Sequence, residues 1–375
     1  MEDKPMKRFA TNGEFQFPKD GVMLTETAGE RIGDTLKIRA CFNASDNRNL
    51  TLNGQPMTLV NHCLYKADFI LDSFKNTMNV KDVDSGEEWS IDVYFLKKGY
   101  KKYRFSLDDN IWFLQNLNEN KDTYTSLFDD PYLATLKKVH DKHGSKFHIN
   151  IYYETPRHGG FNLTQMTDKY KDEWKANSDW MRLSFHANAD KPDRPYMFAT
   201  YEQAYFEMER VHKEILRFAG EEAFAKTVTT VHWGDCSVEA AKAFRDLGVK
   251  AFVSSYNWNT DSSTDIRMYC DPEQCAIIDK FGYYYDKEMD IYHFRYRGGI
   301  QHGDINNFHA QFDRQRIDMP FYEFRDFCLH EQYFYPDFPR HQPNYFEKLD
   351  SAATWCANNG FEPIFMDELF EFNTH

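Results

Sequence analysis

Two adjacent aspartates, Asp108 and Asp109, close the apolar run YRFSL. Neighbouring carboxylates can divide labour: one holds a cation while the other, turned elsewhere, takes up a proton. Taken alone, such a pair is more often a turn or a helix cap. Further along, His186 stands in SFHANAD with Asp190 four residues on. That spacing lets both side chains reach one ion from a short loop or a helical turn. His330 follows an apolar run in FCLHEQYFY, which suits a buried imidazole acting as an acid. Glu154 ends FHINIYYE, His232-Trp233-Gly234-Asp235 ends TVTTVHWGD, and Glu331 comes directly after His330. A lone histidine at a strand end is usually structural. Beside Asp109, metal ligation becomes the better reading of His186.

These residues fall at the ends of short apolar runs, and the runs alternate with amphipathic stretches. From Tyr103 onward, FHINIYYE, DWMRLSFHA, TVTTVHWG, VKAFVSSYNW and FYEFRDFCLH read as strands. Between them, PYLATLKKVHDKHG, YEQAYFEMERVHKEILRFAG and SVEAAKAFRDLG carry apolar residues at helical spacing and close on glycine. Alternation of this kind predicts a parallel sheet. In a βα-barrel the strands' C-terminal ends gather at one face, where active sites form. No GxGxxG and no GxxxxGK[ST] occurs, so the usual nucleotide-binding signatures are missing.

The first hundred residues have another texture. TLKIRACFN, LTLNGQPMTLV, ADFILDSF and WSIDVYFL are short strands with turn signals between them, and no helical stripe appears. The expected organisation is a small Ig-like β-sandwich over 1–99, then a parallel α/β domain over 100–375, for which open doubly wound sheets and closed barrels both fit the alternation. Asp82-x-Asp84-x-Gly86 has the look of a calcium loop, but the twelfth-position glutamate is missing, so a hairpin turn is expected.

A net charge of -14 repels phosphate backbones and anionic membrane surfaces, which argues against nucleic-acid partners. No run has the apolar length of a membrane span. The opening residues lack an apolar signal core and the seven cysteines include no CxxC pair, so reduced thiols in the cytoplasm are expected. Export after removal of a leader would leave the same sequence. Oligomeric state is not encoded in any of these features. Aromatic residues make up 17% of the chain, enough that some can line a sugar cleft while most fill the core.

From Tyr103 to Phe372 the order of elements resembles the polysaccharide deacetylases (carbohydrate esterase family four) of the glycoside hydrolase/deacetylase barrel superfamily. SLDDN resembles the family's first motif, which implies Asp108 as base and Asp109 as metal ligand. SFHANAD is similar to the His-x-x-x-His motif, with His186 in the first position and Asp190 in the second. His232-Trp233-Gly234 stands where the third motif has Arg-Pro-Pro-Tyr, and Asn257-Trp258 lies near the fourth in order. FCLHE resembles the last motif, which implies His330 as general acid. The resemblance implies a (β/α)7-type distorted barrel over 100–375 and a metal-dependent hydrolase acting on an acylated carbohydrate. One divalent ion, zinc foremost, is then held by Asp109, His186 and either Asp190 or His232. Trp233, Asp235 and Tyr333 are the candidate substrate contacts. Two other functions fit the same barrel. A glycoside hydrolase would use paired carboxylates, Glu154 with Asp109 or Glu331, without metal. A sugar-binding protein would have lost catalysis.

Overall fold

A computed structural model of the chain describes residues 13–257, 265–296 and 299–369. It is a mixed α/β structure in two compact units: residues 1–100 together with Tyr283–Tyr285, and residues 101–282 with 286–375. Trp258 and Phe372 lie outside the described residues.

The first unit holds two five-stranded sheets of mostly antiparallel strands. Thr35–Ala44 alternates between buried and outward-facing residues, so Leu36, Ile38, Ala40 and Phe42 line one face. Met78, Val80 and Val93 supply the buried side of the other sheet, and the rings of Phe42 and Trp89 meet at 5.2 Å between centroids. Asp82 accepts from the backbone N–H groups of Asp84 and Ser85, making the segment a hairpin turn between Lys75–Asp82 and Glu88–Phe95.

In the second unit, four strands run parallel in the order Met181–Ala187, Phe147–Tyr152, Lys102–Asn110, Phe324–His330. Val228–Thr229, Ala251–Ser254 and Ile291–Arg295 form a second parallel set. Among the described residues the parallel strands therefore fall in two sheets, not in one continuous closed ring. Helices connect the strands. Pro131–His143 starts on an Asp130 cap with proline in its first turn and stops at Gly144 in the left-handed region. Tyr201–Phe218 is capped by Thr200 and buries Ala204, Met208, Val211 and Ile215 at helical spacing.

Strand parity explains the site. Phe105 and Leu107, Ile149 and Ile151, and Phe327 and Leu329 share one parity, and all are buried. The other parity carries Arg104, Ser106 and Asp108, then His148 and Asn150, then Asp326 and Cys328. At the lower end Arg104 and Asp326, both fully buried, form two hydrogen bonds of 3.0–3.1 Å, and Arg104 reaches His148 Nδ1 at 2.9 Å. Each charge is thereby compensated away from water. At the upper end the same parity opens into a cavity.

Candidate metal centre

Because the four strands are parallel, their C-terminal ends share a rim, and Asp108 is the register partner of His330. Consecutive residues of a strand should face opposite ways. Asp108 and Asp109 nevertheless both line the cavity. The pairing slips between Leu107 and Asn110, and Asp109 has φ 60°, a left-handed conformation that aspartate tolerates better than most residues. This kink brings the second carboxylate round.

Asp109 meets two histidines. His186 Nε2 lies 3.0 Å from Asp109 Oδ1, and His232 Nδ1 lies 3.1 Å from the same oxygen and 3.3 Å from His186 Nε2. His186 Nδ1 faces the Thr230 carbonyl oxygen at 2.5 Å. A carbonyl only accepts, so Nδ1 carries the proton and the Nε2 lone pair is left for the centre. Zinc bonds of about 2.0–2.2 Å in a tetrahedron place neighbouring ligand atoms roughly 3.3 Å apart. The 3.0–3.3 Å edges of this triangle fit such an ion. Burial works to raise the Asp109 carboxyl, but the charge of His330 and hydrogen bonds from His186 and His232 hold it well below the usual range. Burial likewise opposes charge on His186, yet the hydrogen bond to Asp109 and the charges of Asp108 and Asp109 raise it. The arrangement thus favours a positive charge beside the carboxylate.

Asp108 sits beside this triangle, buried, and accepts from Asn150 Nδ2 at 2.6 Å and Ser106 Oγ at 3.2 Å. Ser184 Oγ donates to Asn150 Oδ1, which fixes the amide so that its NH₂ points at Asp108. His330 Nδ1 donates to Gln301 Oε1 at 2.5 Å, and its Nε2 stands 3.8 Å from Asp109 Oδ2. Gln301 Nε2 lies 3.0 Å from His302 Nε2, consistent with that amide orientation.

The cavity has a volume of about 580 Å³ and is lined by Asp108, Asp109, His186, His232 and His330. Of the other anticipated residues, Asp190, Trp233 and Tyr333 line it as well. Asp190 is outside the ligand triangle and pairs at 3.8 Å with Arg157. His232, not Asp190, stands third, because the short 3-10 turn His232–Gly234 carries its ring inward. Asp235 is buried behind the rim, 3.9 Å from Arg194, and burial pushes it up to about 6.

Glu154 and Glu331 are placed away from the cavity. The parallel strand ends at Tyr152, and Glu154 belongs to a small hairpin with Phe161–Asn162, where it accepts from Asn188 Nδ2 at 2.9 Å. Glu331 is fully buried and accepts from the backbone N–H groups of Ile111, Trp112 and Phe113 at 2.6–2.9 Å. It closes the start of the helix Trp112–Glu119, whose first N–H groups have no partner of their own. Glu331→Ala is expected to lower unfolding stability by roughly 2–4 kcal/mol, since three backbone donors lose their acceptor. Denaturant unfolding measures this, and a change under 1 kcal/mol would refute the capping role.

Tyr152 was not anticipated. Its hydroxyl donates to Asp109 Oδ1 and lies 2.9 Å from His232 Nδ1. The signal was strand parity: with Ile149 and Ile151 packed on one side, Asn150 and Tyr152 must face the other. Cys328 follows by the same rule from His330. Gln301 comes from an irregular segment and left no such signal.

No family model matches the chain, and no curated protein matches it. The deacetylase resemblance therefore rests on the sequence motifs alone. Among solved structures, a 4-α-glucanotransferase of Thermococcus litoralis is similar over 73% of this chain, with 12% identity and a TM-score of 0.45. The alignment spans 40% of that enzyme. A β-glucuronidase 2 of Bacteroides uniformis, in a calcium-binding mutant, aligns over 89% of this chain and 44% of its own, with 8% identity and a TM-score of 0.30. A family 123 glycoside hydrolase of Clostridium perfringens aligns over 86% and 70%, with 13% identity and a TM-score of 0.25. No helix among the described residues is long and apolar enough to cross a membrane.

Proposed function

We propose that the second unit is a metal-dependent hydrolase that removes an acyl group, acetyl foremost, from a carbohydrate. The observation that carries this reading is the Asp109–His186–His232 triangle with Asp108 and His330 beside it in the same cavity. On this reading the two parallel sheets are arcs of one distorted (β/α)7 barrel, and the first unit is an Ig-like sandwich.

Asp109, His186 and His232 would hold a divalent ion, zinc by their mixed nitrogen and oxygen donors, and such an ion would supply Lewis acidity toward a carbonyl and a water. Asp108, oriented by Asn150 and Ser106, takes the proton of the attacking water. His330, with Nδ1 anchored on Gln301, gives a proton from Nε2 to the departing amine or alcohol. Tyr152 holds Asp109 in its kinked position. Trp233, 45% exposed, and Tyr333 offer ring faces at the cavity on which a sugar can lie.

The test is elemental analysis of chain purified without added metal, combined with acetate release from acetylated glycans. About one divalent ion per chain and acetate release are expected. Release of reducing sugar from plain glycans by metal-free chain would instead support a glycosidase, the activity for which the β-glucuronidase and the family 123 glycoside hydrolase are named. That reading would need a carboxylate pair other than Glu154 and Glu331, and Glu154→Gln is accordingly expected to leave turnover within about twofold.

A further inference from the structure

We propose that the cavity holds a second, thiolate-containing cation site, formed by Cys328, Asp108 and His330, which fills at excess zinc and stops turnover. Ligand atoms of these three residues lie within 4.8 Å of one another. The Cys328 Sγ is 3.3 Å from Asp108 Oδ2, close to the spacing of two ligands on one zinc. His330 Nδ1 is engaged by Gln301, so in the neutral ring the Nε2 lone pair faces inward. Asp109 Oδ2, on the side away from the first triangle's Oδ1, lies 3.8 Å from that Nε2 and can bridge. Oxygen, nitrogen and sulfur donors converging on one point make a zinc-type set, and sulfur selects it over magnesium or calcium.

A buried cysteine is commonly a small apolar filler. Cys328 differs in its surroundings. It shares the inward parity with Asp326, and it is the one cysteine lining the cavity. Its charged neighbours there include Asp108, Asp109 and Asp326. The Cys328 Sγ–H donates to Asp108 Oδ2, and burial and the Asp108 charge push the thiol up. Binding the ion replaces that proton, which passes to solvent. The consequence for turnover rests on the function proposed above. The second ion would occupy both the base and the acid, so activity should rise with the first equivalent of zinc and fall with the second.

Cobalt(II) is the probe, because cobalt–thiolate bonds absorb in the near ultraviolet. The full chain, stripped by chelator, is titrated in equilibrium dialysis while absorbance and bound cobalt are followed. Two ions per chain are expected, and the weaker one should bring the thiolate band. Cys328→Ser and Cys328→Ala should lose the band and the weaker ion and keep the tighter one. One ion without a thiolate band would overturn the second site and leave the first intact. Two ions without the band, or a band that persists in both Cys328 variants, would also overturn it. One ion with a Cys328-dependent band would keep this site and refute the Asp109–His186–His232 site. No bound ion would refute both. The wild-type titration decides without recourse to a variant that folds poorly.

Discussion

Asp109→Asn should strip the chain of its ion and, with it, of turnover. Asparagine is the right substitution because residue 109 has φ 60°, where alanine would add backbone strain to the loss of a ligand. The amide keeps the volume and loses the charge. Removing a neighbour that only orients a ligand costs about 10–100-fold in metal affinity, so removing a ligand should cost more than about 100-fold. A Lewis acid supplies several kcal/mol of transition-state stabilisation, and each 1.36 kcal/mol is tenfold in rate, so turnover should fall by about 10³-fold or more. His186→Ala should behave alike, since its Nε2 faces Asp109 Oδ1 at 3.0 Å. Ion content by elemental analysis and acetate release are the two readouts, with thermal unfolding to show that each variant is folded. Should folded Asp109→Asn and His186→Ala both retain one tightly held ion, the centre lies elsewhere and the proposed function fails with it.

Much of this centre was legible in the sequence because parallel strands impose a simple rule. Their C-terminal ends meet, so a titratable residue after each apolar run becomes a neighbour of the others. Asp108, Asp109, His186 and His330 obey it, and all four line the cavity. The rule fails where the chain leaves the strand. Glu154 lies two residues beyond the parallel pairing that ends at Tyr152, and those residues turn it onto a hairpin. Glu331 immediately follows His330, and the alternation of a strand sends it the other way, under the first helix. The third ligand was open between Asp190 and His232. Sequence spacing favours the nearer residue, whereas the structure brings His232, on the turn after the next strand, beside Asp109 and His186, a tertiary proximity that spacing cannot encode. Tyr152 was missed for a different reason. Its ring looks like core, and only its parity with Asn150 marks it as facing polar partners. In the fold, the alternation of strands and helices predicted parallel pairing, and the strands Met181–Ala187, Phe147–Tyr152, Lys102–Asn110 and Phe324–His330, like Val228–Thr229, Ala251–Ser254 and Ile291–Arg295, do pair in parallel. Closure into one ring depends on how sheets meet, and periodicity carries no information about that.

His330→Ala should separate the acid from the metal. Its Nε2 stands 3.8 Å from Asp109 Oδ2, outside the 3.0–3.3 Å triangle, so the first ion should remain at one per chain. Turnover of an N-acetyl or alkyl-ester substrate should drop by roughly 10²–10⁴-fold, the usual contribution of a positioned acid. The size of the loss should depend on the leaving group. An amine or a sugar alkoxide leaves poorly unless it is protonated, so it needs His330. A phenolate leaves unaided, so an aryl acetate should lose much less. No such dependence is expected for Asp109→Asn, because the carbonyl needs polarising whatever departs. Gln301→Leu offers a finer check. Gln301 touches no reacting atom and acts through the Nδ1 hydrogen bond that holds the ring. Its loss should lower kcat more than it changes KM, again more for the alkyl ester than for the aryl ester. The decisive measurement is kcat/KM for wild-type and His330→Ala chains on a matched aryl and alkyl acetate pair, with ion content determined on the same samples. Equal losses on both esters with the ion retained would mean that His330 works before the leaving group departs, as a base or an oxyanion contact. Loss of the ion would make it a ligand of the first centre. Either result would remove it from the role of general acid.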